Sequence, residues 1–363
     1  AGARSSRIEG GNMHEGPGGP GEVARAVDAF GAVAKDLDGG VPDVPVAVVL
    51  ADDHGWMTPP YWRTQNEAWS YARIPYRQGD RGVDGFFGAA FPGSVYAMDP
   101  WPAGRYRVEE PLATPYALSC IAPEFAPAPE DEYYAEPPLP FGKYDNRDEA
   151  RKDFFENKID PSPYRPMGDS AWGDIFDVLT APAPQEALNA YKVLVLLGQV
   201  DMKDGLKGRL RAFVENGGTL VWCAGQATPE DAALCGAAIQ PELRVGRAWR
   251  WGTGEPVAEA FRYCPVAGTG DGVEVLAATP AGDPLVLRRR VGTGAVVTVL
   301  VPWYEAGHAP LCGLARRAFD EVFSGVQPVR VKGLPVQWLS TTGPGHRTVL
   351  VSNNDGAPWT GEV

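Results

Sequence analysis

The sequence has few cysteines and histidines and no long apolar run. Five cysteines and four histidines occur among 363 residues, and no two cysteines form a Cys-x-x-Cys pair. We therefore expect neither a structural zinc site nor a disulfide framework. No stretch approaches the ~20 apolar residues of a membrane span, so we expect no membrane partner. No phosphate-binding motif is present either, and we expect no cofactor and no metal.

Positive charge is also scarce. The net charge is −13 at pH 7, and the only basic run, Arg288–Arg290, falls in a predicted strand. Because nucleic-acid binding needs a basic surface that neutralises phosphates, we expect no nucleic-acid partner. A neutral or polyhydroxylated ligand suits an acidic chain with 11 tryptophans better than an anion does.

Both ends of the sequence suggest a piece of a longer protein. Position 1 is alanine, and Gly-rich sequence leads into an amphipathic helix predicted over Glu22–Leu37. The last residue, Val363, follows a period-2 strand pattern that has only begun. We expect residues 1–40 to be the tail of a preceding domain, and residues 329–363 to be the start of a β-sandwich.

The middle of the chain alternates between strands and helices. Continuous apolar runs predict strands buried on both faces at Val46–Ala51, Tyr191–Gly198 and Thr219–Ala224. Periodicity near 3.6 residues predicts the intervening helices, Trp172–Leu179 and Lys203–Asn216. This order is typical of an α/β domain with a parallel sheet, here over residues 41–328.

Further elements are predicted after the third strand. A Gly-Thr-Gly turn between two strands indicates a hairpin and not a phosphate loop, because no helix follows it. We predict a short helix, three strands and a closing helix at Pro229–Gly236, Val273–Thr279, Leu285–Arg290, Ala295–Val301 and Leu311–Phe323.

A long aromatic insertion, residues 54–165, interrupts the α/β pattern. Its tryptophan and tyrosine rings offer flat apolar faces of the kind on which sugars stack, and nearby charged side chains could hydrogen-bond to hydroxyls. We take Trp56, Trp62, Arg77, Asp80 and Arg81 as candidate substrate-binding residues. The alternative is that these aromatics form the small core of the insertion itself.

Two more polar groups are candidates. Asp52, Asp53 and His54 follow the first buried strand, where ligands of α/β sheets bind. They could form a metal or acid–base group, or only turn the chain and pack His54 on Trp56. Glu9 precedes the first helix and is either a cleft residue or a solvated carboxylate.

Cys223 lies in a strand-to-turn sequence, Trp222–Gln226, similar to the nucleophile turn of class I glutamine amidotransferases. That turn needs glycine two residues before the cysteine, where Val221 stands. His308 is followed by alanine and proline, so no His-x-Glu base is present. A catalytic thiol needs an activating base, and a buried core cysteine is the better interpretation.

The order of these elements resembles the rear portion of bacterial glycoside hydrolases of the family 42 β-galactosidase kind. The resemblance covers roughly residues 20–55 and 165–355. It lies in His54–Met57, Gly173–Leu179, Tyr191–Gly198, Phe213–Val221 and Arg288–Tyr304. It implies a non-catalytic, amidotransferase-like trimerisation domain with helices on both faces of a flavodoxin-like sheet. It also implies a preceding (β/α)₈ barrel, a carbohydrate substrate and a homo-oligomer.

The catalytic glutamates of that family are in barrel strands that this chain does not contain, so we assign no catalytic residue. Three hypotheses follow. The chain is an assembly and cleft-shaping region of a glycoside hydrolase, a stand-alone carbohydrate- or protein-binding module, or an amidotransferase-like hydrolase acting through Cys223.

Overall fold

A computed structural model describes residues 40–52, 79–90, 172–203, 205–306, 311–333, 336–353 and 358–363. The helix predicted over Glu22–Leu37 and most of the insertion lie outside these residues. The strands are β1 (Val41–Pro42), β2 (Val46–Leu50), β3 (Phe176–Thr180), β4 (Val193–Leu196), β5 (Thr219–Cys223), β6 (Ala237–Ile239), β7 (Arg244–Trp251), β8 (Val257–Tyr263), β9 (Val266–Thr269), β10 (Val273–Ala278), β11 (Pro284–Val291), β12 (Gly294–Val299), β13 (Lys332–Gly333), β14 (Gln337–Gly343), β15 (His346–Ser352) and β16 (Gly361–Glu362).

The helices within the described residues are short. They are α1 (Asp80–Ala90), α2 (Gln185–Leu188), α3 (Leu206–Glu215), α4 (Ala232–Cys235) and α5 (Gly313–Ser324). Two 3₁₀ turns, Pro229–Asp231 and Pro302–Tyr304, complete the set. The helices predicted around Lys203–Asn216, Pro229–Gly236 and Leu311–Phe323 are therefore confirmed, with somewhat shorter bounds.

The centre of the fold is a nine-stranded mixed sheet with the order β3-β2-β4-β5-β12-β11-β10-β7-β8. The pairs from β3 through β12 are parallel, and the pairs from β12 through β8 are antiparallel. The prediction of a parallel sheet is thus right for one half only. The Gly292-Thr293 turn reverses the chain between β11 and β12, with Val291 opposite Gly294, and this hairpin makes the second half antiparallel.

The helix predicted over Trp172–Leu179 is wrong, because this segment contains the edge strand β3. Gly173 has φ 73°, a left-handed conformation that a right-handed helix cannot contain. Phe176 is then buried opposite Val46, and Val178 two residues later is 52% exposed. Four apolar residues in a short segment fit the helix period and the strand period equally well. Pairing with the neighbouring strand β2 selects the strand.

Strands β7 and β8 form a hairpin that the sequence analysis missed. Phe261 packs on Gly246, where an added Cβ would lie 2.5 Å from the ring. The register shifts between Gly246 and Ala248, which indicates a bulge. Alanine, glycine and arginine residues interrupt the alternation of large apolar and polar side chains along this hairpin, which explains why no strand was predicted.

Helices cover both faces of the sheet. On one face, α1 and α5 bury Phe86, Phe319 and Phe323 against alternate residues of the central strands. On the other, α2, α3 and α4 bury residues such as Leu188, Leu210 and Leu234. The central strands therefore have no solvent face: β2 and β4 are buried at every residue.

Trp172 connects the aromatic cluster on the first face. Its ring stacks on Phe86 at a centroid distance of 5.8 Å and meets Phe323 edge-on at 5.1 Å. Its indole Nε1 donates a hydrogen bond of 2.6 Å to Asp320 of α5. This cluster joins α1, the entrance to β3 and α5 into one core.

A second small sheet, β1-β14-β15, contains one of the first and two of the last described strands. Its Trp338 is 3% exposed and belongs to the same core as α1 and α5. The Asp43 carboxylate accepts hydrogen bonds of 2.7 Å from the hydroxyls of Ser340 and Thr342 and one of 3.0 Å from Arg347 Nε. This cluster links the segment that leads into β2 to the β14–β15 hairpin. The β-sandwich that we expect from residue 329 onward stays a prediction.

Glu259 of β8, which is distant in sequence, caps the N-terminus of helix α5. Its carboxylate accepts hydrogen bonds from the Gly313 and Leu314 amides, at 2.7 and 3.3 Å, and from Trp249 Nε1 at 2.7 Å. Helix N-termini present amide groups without an intrahelical partner, and a carboxylate satisfies them well. The residue before the helix, Cys312, provides no side-chain cap. Glu259 therefore joins the β7–β8 hairpin to α5.

We expect Glu259→Gln to lower the free energy of unfolding by about 1–3 kcal/mol, because the amide NH₂ would face N–H donors that are left unsatisfied. Chemical denaturation would measure the change. The matched control is Glu255→Gln, at an exposed position in the β7–β8 turn. Equal unfolding midpoints for the two variants would contradict the capping role.

We also expect the Asp43 cluster to make stability depend on pH. Burial alone would raise the pKa of Asp43, but hydrogen bonds from Thr342 and Ser340 and the Arg347 charge hold it below its ordinary value. A lowered pKa stabilises the fold above the unfolded value of about 3.9, and this stabilisation is lost as pH falls through the folded pKa.

Asp43→Asn should therefore destabilise the protein clearly at about pH 7 and less at about pH 3, because below about 3.9 the unfolded chain binds the proton and the stabilisation from the lowered pKa begins to be lost. Denaturation of both proteins at the two pH values would measure the difference. Asp271→Asn, in the exposed turn before β10, is the control. A penalty for Asp43→Asn that is the same at both pH values would show that its charge plays no part.

Candidate functional site

The candidate site is the carboxyl edge of the parallel strands. β3, β2, β4, β5 and β12 run in one direction. Asp52, Gly198, Gly225 and Trp303 therefore follow strand ends at a common edge. Open α/β sheets bind ligands at this edge, so the residues that fill it decide what the domain can do.

A strained loop after β12 occupies this edge. Trp303 and Tyr304 have φ of 56° and 64°, and they are the positive-φ residues other than glycine among those described. Such conformations cost about 1–2 kcal/mol each in non-glycine residues and persist only where surrounding contacts fix them. The Tyr304 hydroxyl donates a hydrogen bond of 3.1 Å to the buried Leu196 carbonyl.

The Trp303 indole lies in a slot lined by glycine. A Cβ on Gly225 would lie 2.5 Å from the indole Cε2, and one on Gly79 would lie 2.7 Å from its Cε3 and 3.0 Å from the Gly198 Cα. Real Cβ atoms do not approach so closely, so these positions accept only glycine while the indole stays in place. The slot joins the ends of β4 and β5 to the start of α1.

Helix α1 brings two predicted site residues to this edge. Asp80 and Arg81 form its first turn, between Gly79 and Gly82. Gly79 contacts the Trp303 indole, and an added Cβ on Gly82 would meet the Trp303 carbonyl oxygen. The backbone of Asp80 and Arg81 therefore lies beside the Trp303 loop.

The other predicted site residues lie outside the described residues: Glu9, His54, Trp56, Trp62 and Arg77. Asp52, two residues before His54, is exposed directly after β2. The aromatic segment that contains Trp56 and Trp62 thus leaves the carboxyl edge at Asp52 and returns to it at Gly79.

Cys223 is buried beneath the Trp303 loop. Its side chain is 1% exposed, and the Trp303 amide donates a hydrogen bond of 3.2 Å to its Sγ. Burial raises the pKa of this thiol to about 12, although backbone hydrogen bonds oppose the shift. The thiolate is the nucleophilic form, so a thiol in this state does not support acyl-transfer chemistry. The structure agrees with the core role expected for Cys223.

Gln226 closes the same edge between two strands. It is 6% exposed, and its Nε2 donates a hydrogen bond of 2.7 Å to the Gly198 carbonyl. A buried amide that bonds a strand-end carbonyl is committed to structure and not free for a ligand. Together with the Trp303 indole, it seals the ends of β4 and β5.

Two further surveys cover the described residues only. In those ranges, no group of three or more His, Cys, Asp or Glu side chains is placed to hold a metal ion. In the same ranges, no helix has the length and apolarity needed to span a bilayer.

The glycine slot is the feature that sequence reasoning missed. Its signal is Pro302-Trp303-Tyr304 directly after the buried strand β12, together with glycines after two other strands. This signal places large aromatics at the carboxyl end of a strand, but only the folded sheet brings the distant glycines to the indole.

Similarity to known proteins is confined to solved structures. No family model matches the chain, and no curated protein matches it. Among solved structures, the β-galactosidase of Bacillus circulans sp. alkalophilus aligns at 21% identity and a TM-score of 0.35, over 48% of this chain and 28% of that one. The cold-adapted β-galactosidase of Rahnella sp. R3 aligns at 15% identity and a TM-score of 0.42, over 92% and 40% of the two chains.

A ThuA-like protein of Bacteroides uniformis aligns at 14% identity and a TM-score of 0.29, over 42% of this chain and 74% of that one. Scores and identities this low do not establish a family. The alignments with the two β-galactosidases span well under half the length of those enzymes.

We expect Gly225→Ala to displace the Trp303 indole and to expose the carboxyl edge of the parallel strands to solvent. The new Cβ would overlap the indole, so the loop must move and Cys223 should become accessible to iodoacetamide at neutral pH, whereas wild-type Cys223 should label very slowly. Labelling rates followed by mass spectrometry would measure this.

The control for this substitution is Gly208→Ala in α3, where an added Cβ meets nothing within 4 Å. Rapid labelling of Cys223 in the wild-type protein would show that the thiol is reactive and the edge open. Equal labelling of the wild-type and Gly225→Ala proteins would show that the slot does not protect it.

Proposed function

We propose that this chain is the assembly and cleft-shaping region of a carbohydrate-active glycoside hydrolase. The observation that carries the proposal is the arrangement at the carboxyl edge. The place where an α/β domain would bind its own ligand is filled by Trp303, while the aromatic segment after Asp52 begins and ends beside it. The buried thiol of Cys223 does not support catalysis at this edge. In this proposal the carboxyl edge therefore holds the two ends of the aromatic segment and is not itself a catalytic centre.

The fixed anchors of that segment support a role in shaping a cleft. Before it, β2 is fully buried in the sheet. After it, α1 is held by the contact of Gly79 with Trp303 and by Phe86, which is fully buried in the aromatic core. Tryptophan side chains have only two side-chain torsions to order on binding, and they offer the flat faces that sugar rings use.

The class of substrate comes from the sequence resemblance. The strand and helix boundaries resemble the region behind the barrel of family 42 glycoside hydrolases, and this resemblance implies a carbohydrate substrate. No residue of this chain matches the two carboxylates that glycosidic hydrolysis requires. The proposal therefore places hydrolysis in another part of the protein.

A role in assembly is supported by the open edge of the sheet. β3 is the first strand of the nine-stranded order and has one described neighbour, β2. Its Val178 is 52% exposed. An edge strand with an exposed β-branched residue can pair with another chain, so a second copy could add to the sheet here.

The test measures sugar binding and mass in solution together. We expect the chain to bind a β-galacto-oligosaccharide in calorimetric titration and to sediment as an oligomer. Trp56→Ala and Trp62→Ala should each weaken sugar binding about tenfold, or ~1.4 kcal/mol, because a stacking face is lost. Trp359→Ala, which changes a ring that packs on Gly361 beside β16, should leave the affinity unchanged.

The outcomes separate the hypotheses. Unchanged affinity in both variants together with a monomeric mass would contradict the proposal. Sugar binding by a monomer that depends on Trp56 and Trp62 would instead favour a stand-alone carbohydrate-binding module.

A further inference from the structure

The outer face of the β7–β8 hairpin is exposed and rich in arginine. Trp249 and Phe261 point into the core, and residues of the opposite alternation point outward. Val245 lies opposite Arg262, and Ala248 lies opposite Ala258. Arg250 follows on the same outer face and pairs in register with Ala278 of β10. The outer face is thus a floor of alanine and valine with arginines at both ends.

Three of these arginines have no hydrogen-bond or ion-pair partner among the described residues. They are Arg247, Arg250 and Arg262, whereas the neighbouring Arg244 lies 3.7 Å from Asp283. Arg247 and Arg250 are exposed, and Arg262 is half-buried. In a chain of net charge −13, three unpaired guanidinium groups beside an apolar floor form an unusual local surface. We call this surface the arginine face.

We propose that the arginine face binds the chain's own acidic segment, Glu124–Glu136. This segment contains five carboxylates, no lysine or arginine, and the pair Tyr133-Tyr134. Guanidinium groups form bidentate hydrogen bonds with carboxylates, and tyrosine rings pack well on small apolar side chains. Charge complementarity therefore selects this segment as the occupant.

The spacing of the arginines on the arginine face is compatible with the spacing of the carboxylates in the acidic segment. Arg262 lies opposite Val245, and Arg250 is five residues further along β7, so their Cα atoms are about 16 Å apart at ~3.3 Å per residue. Glu136 is six residues after Glu130, and six residues can span at most about 20 Å, which is enough to cover this distance. The terminal carboxylates can therefore reach the two ends of the face simultaneously.

The intervening chain is long enough to permit the contact. Thirty-three residues separate Ala90, the last residue of α1, from Glu124, and 35 separate Glu136 from Trp172. Each stretch can extend over about 110 Å, far more than the width of the domain. Because the segment belongs to the same chain, its effective concentration at the face is in the millimolar range, which favours even a weak contact.

The surrounding charges weaken the attraction without cancelling it. Glu242 precedes β7, and Glu255 lies in the hairpin turn; both are exposed. Glu259 faces the opposite side and is occupied by α5. The positive charge of the arginine face is thus confined to its own outer surface, and its interaction should weaken with salt.

Proteolysis of the acidic segment tests this inference. Chymotrypsin cleaves after Tyr133 and Tyr134, and mass spectrometry follows both bonds. The triple variant Arg247→Gln/Arg250→Gln/Arg262→Gln should be cleaved there about tenfold faster than the wild type, since three exposed ion pairs are each worth a factor of a few. High salt should accelerate cleavage of the wild type and change the triple variant little.

Arg290→Gln is the matched control, because Arg290 of β11 is exposed and also has no partner among the described residues. A reciprocal variant combines Glu at each of the three positions (Arg247→Glu, Arg250→Glu, Arg262→Glu) with Glu130→Lys, Asp131→Lys, Glu132→Lys and Glu136→Lys, and it should be more protected than either half alone. Circular dichroism would confirm that every variant is folded.

Two results would overturn the inference. One is an equal cleavage rate in the wild type and the triple variant, or the same acceleration by Arg290→Gln. The other is protection that rises with protein concentration together with an increase in mass, since the occupant would then be a second copy. Protection that is independent of concentration, sensitive to salt and restored by the reciprocal variant would support it.

Discussion

The burial of the central strands on both faces is the constraint on which the rest of the structure depends. β2 and β4 have no exposed residue, and β5 is buried from Leu220 to Cys223. A strand of this kind gains the hydrophobic free energy of every side chain only if both faces are covered. Helices α1 and α5 must therefore pack on one side and α2, α3 and α4 on the other. The caps and clusters that hold those helices follow from this need.

The same constraint explains why the carboxyl edge of the parallel strands is filled by protein side chains. Helix α1 is needed to cover Val48 and its neighbours, and its first turn meets the strand ends. The Trp303 indole fills the space that remains between α1, β4 and β5, at the cost of two left-handed residues. The core thus extends through the place where other α/β domains leave a ligand crevice. Residues beyond Asp52 must then supply whatever binding this edge performs.

Parts of the fold could be predicted from the sequence because their signals are local. Five consecutive apolar residues at Val46 and the Gly-Thr-Gly turn at position 292 identify their elements without knowledge of neighbours. β3 could not be predicted in this way, because its apolar positions fit a helix as well and only pairing with β2 decides. The β7–β8 hairpin was not predicted because Gly246 occupies an inner-face position, opposite Phe261, where a large apolar residue would have marked the alternation. The Trp303 slot is tertiary: its glycines lie far apart in sequence, and nothing local relates them to the indole.

The pairing of β1 with β14 has a consequence for how the chain folds. Val41 lies opposite Thr342, so the two partners are about 300 residues apart, and a ribosome that adds 5–20 residues per second needs roughly 15–60 s between them. For that time Asp43 lacks its hydroxyl and guanidinium partners. β2 also lacks β3 until Phe176 has been made. The nascent chain therefore exposes apolar strands before their partners exist, and chaperones that shield such segments should raise its yield.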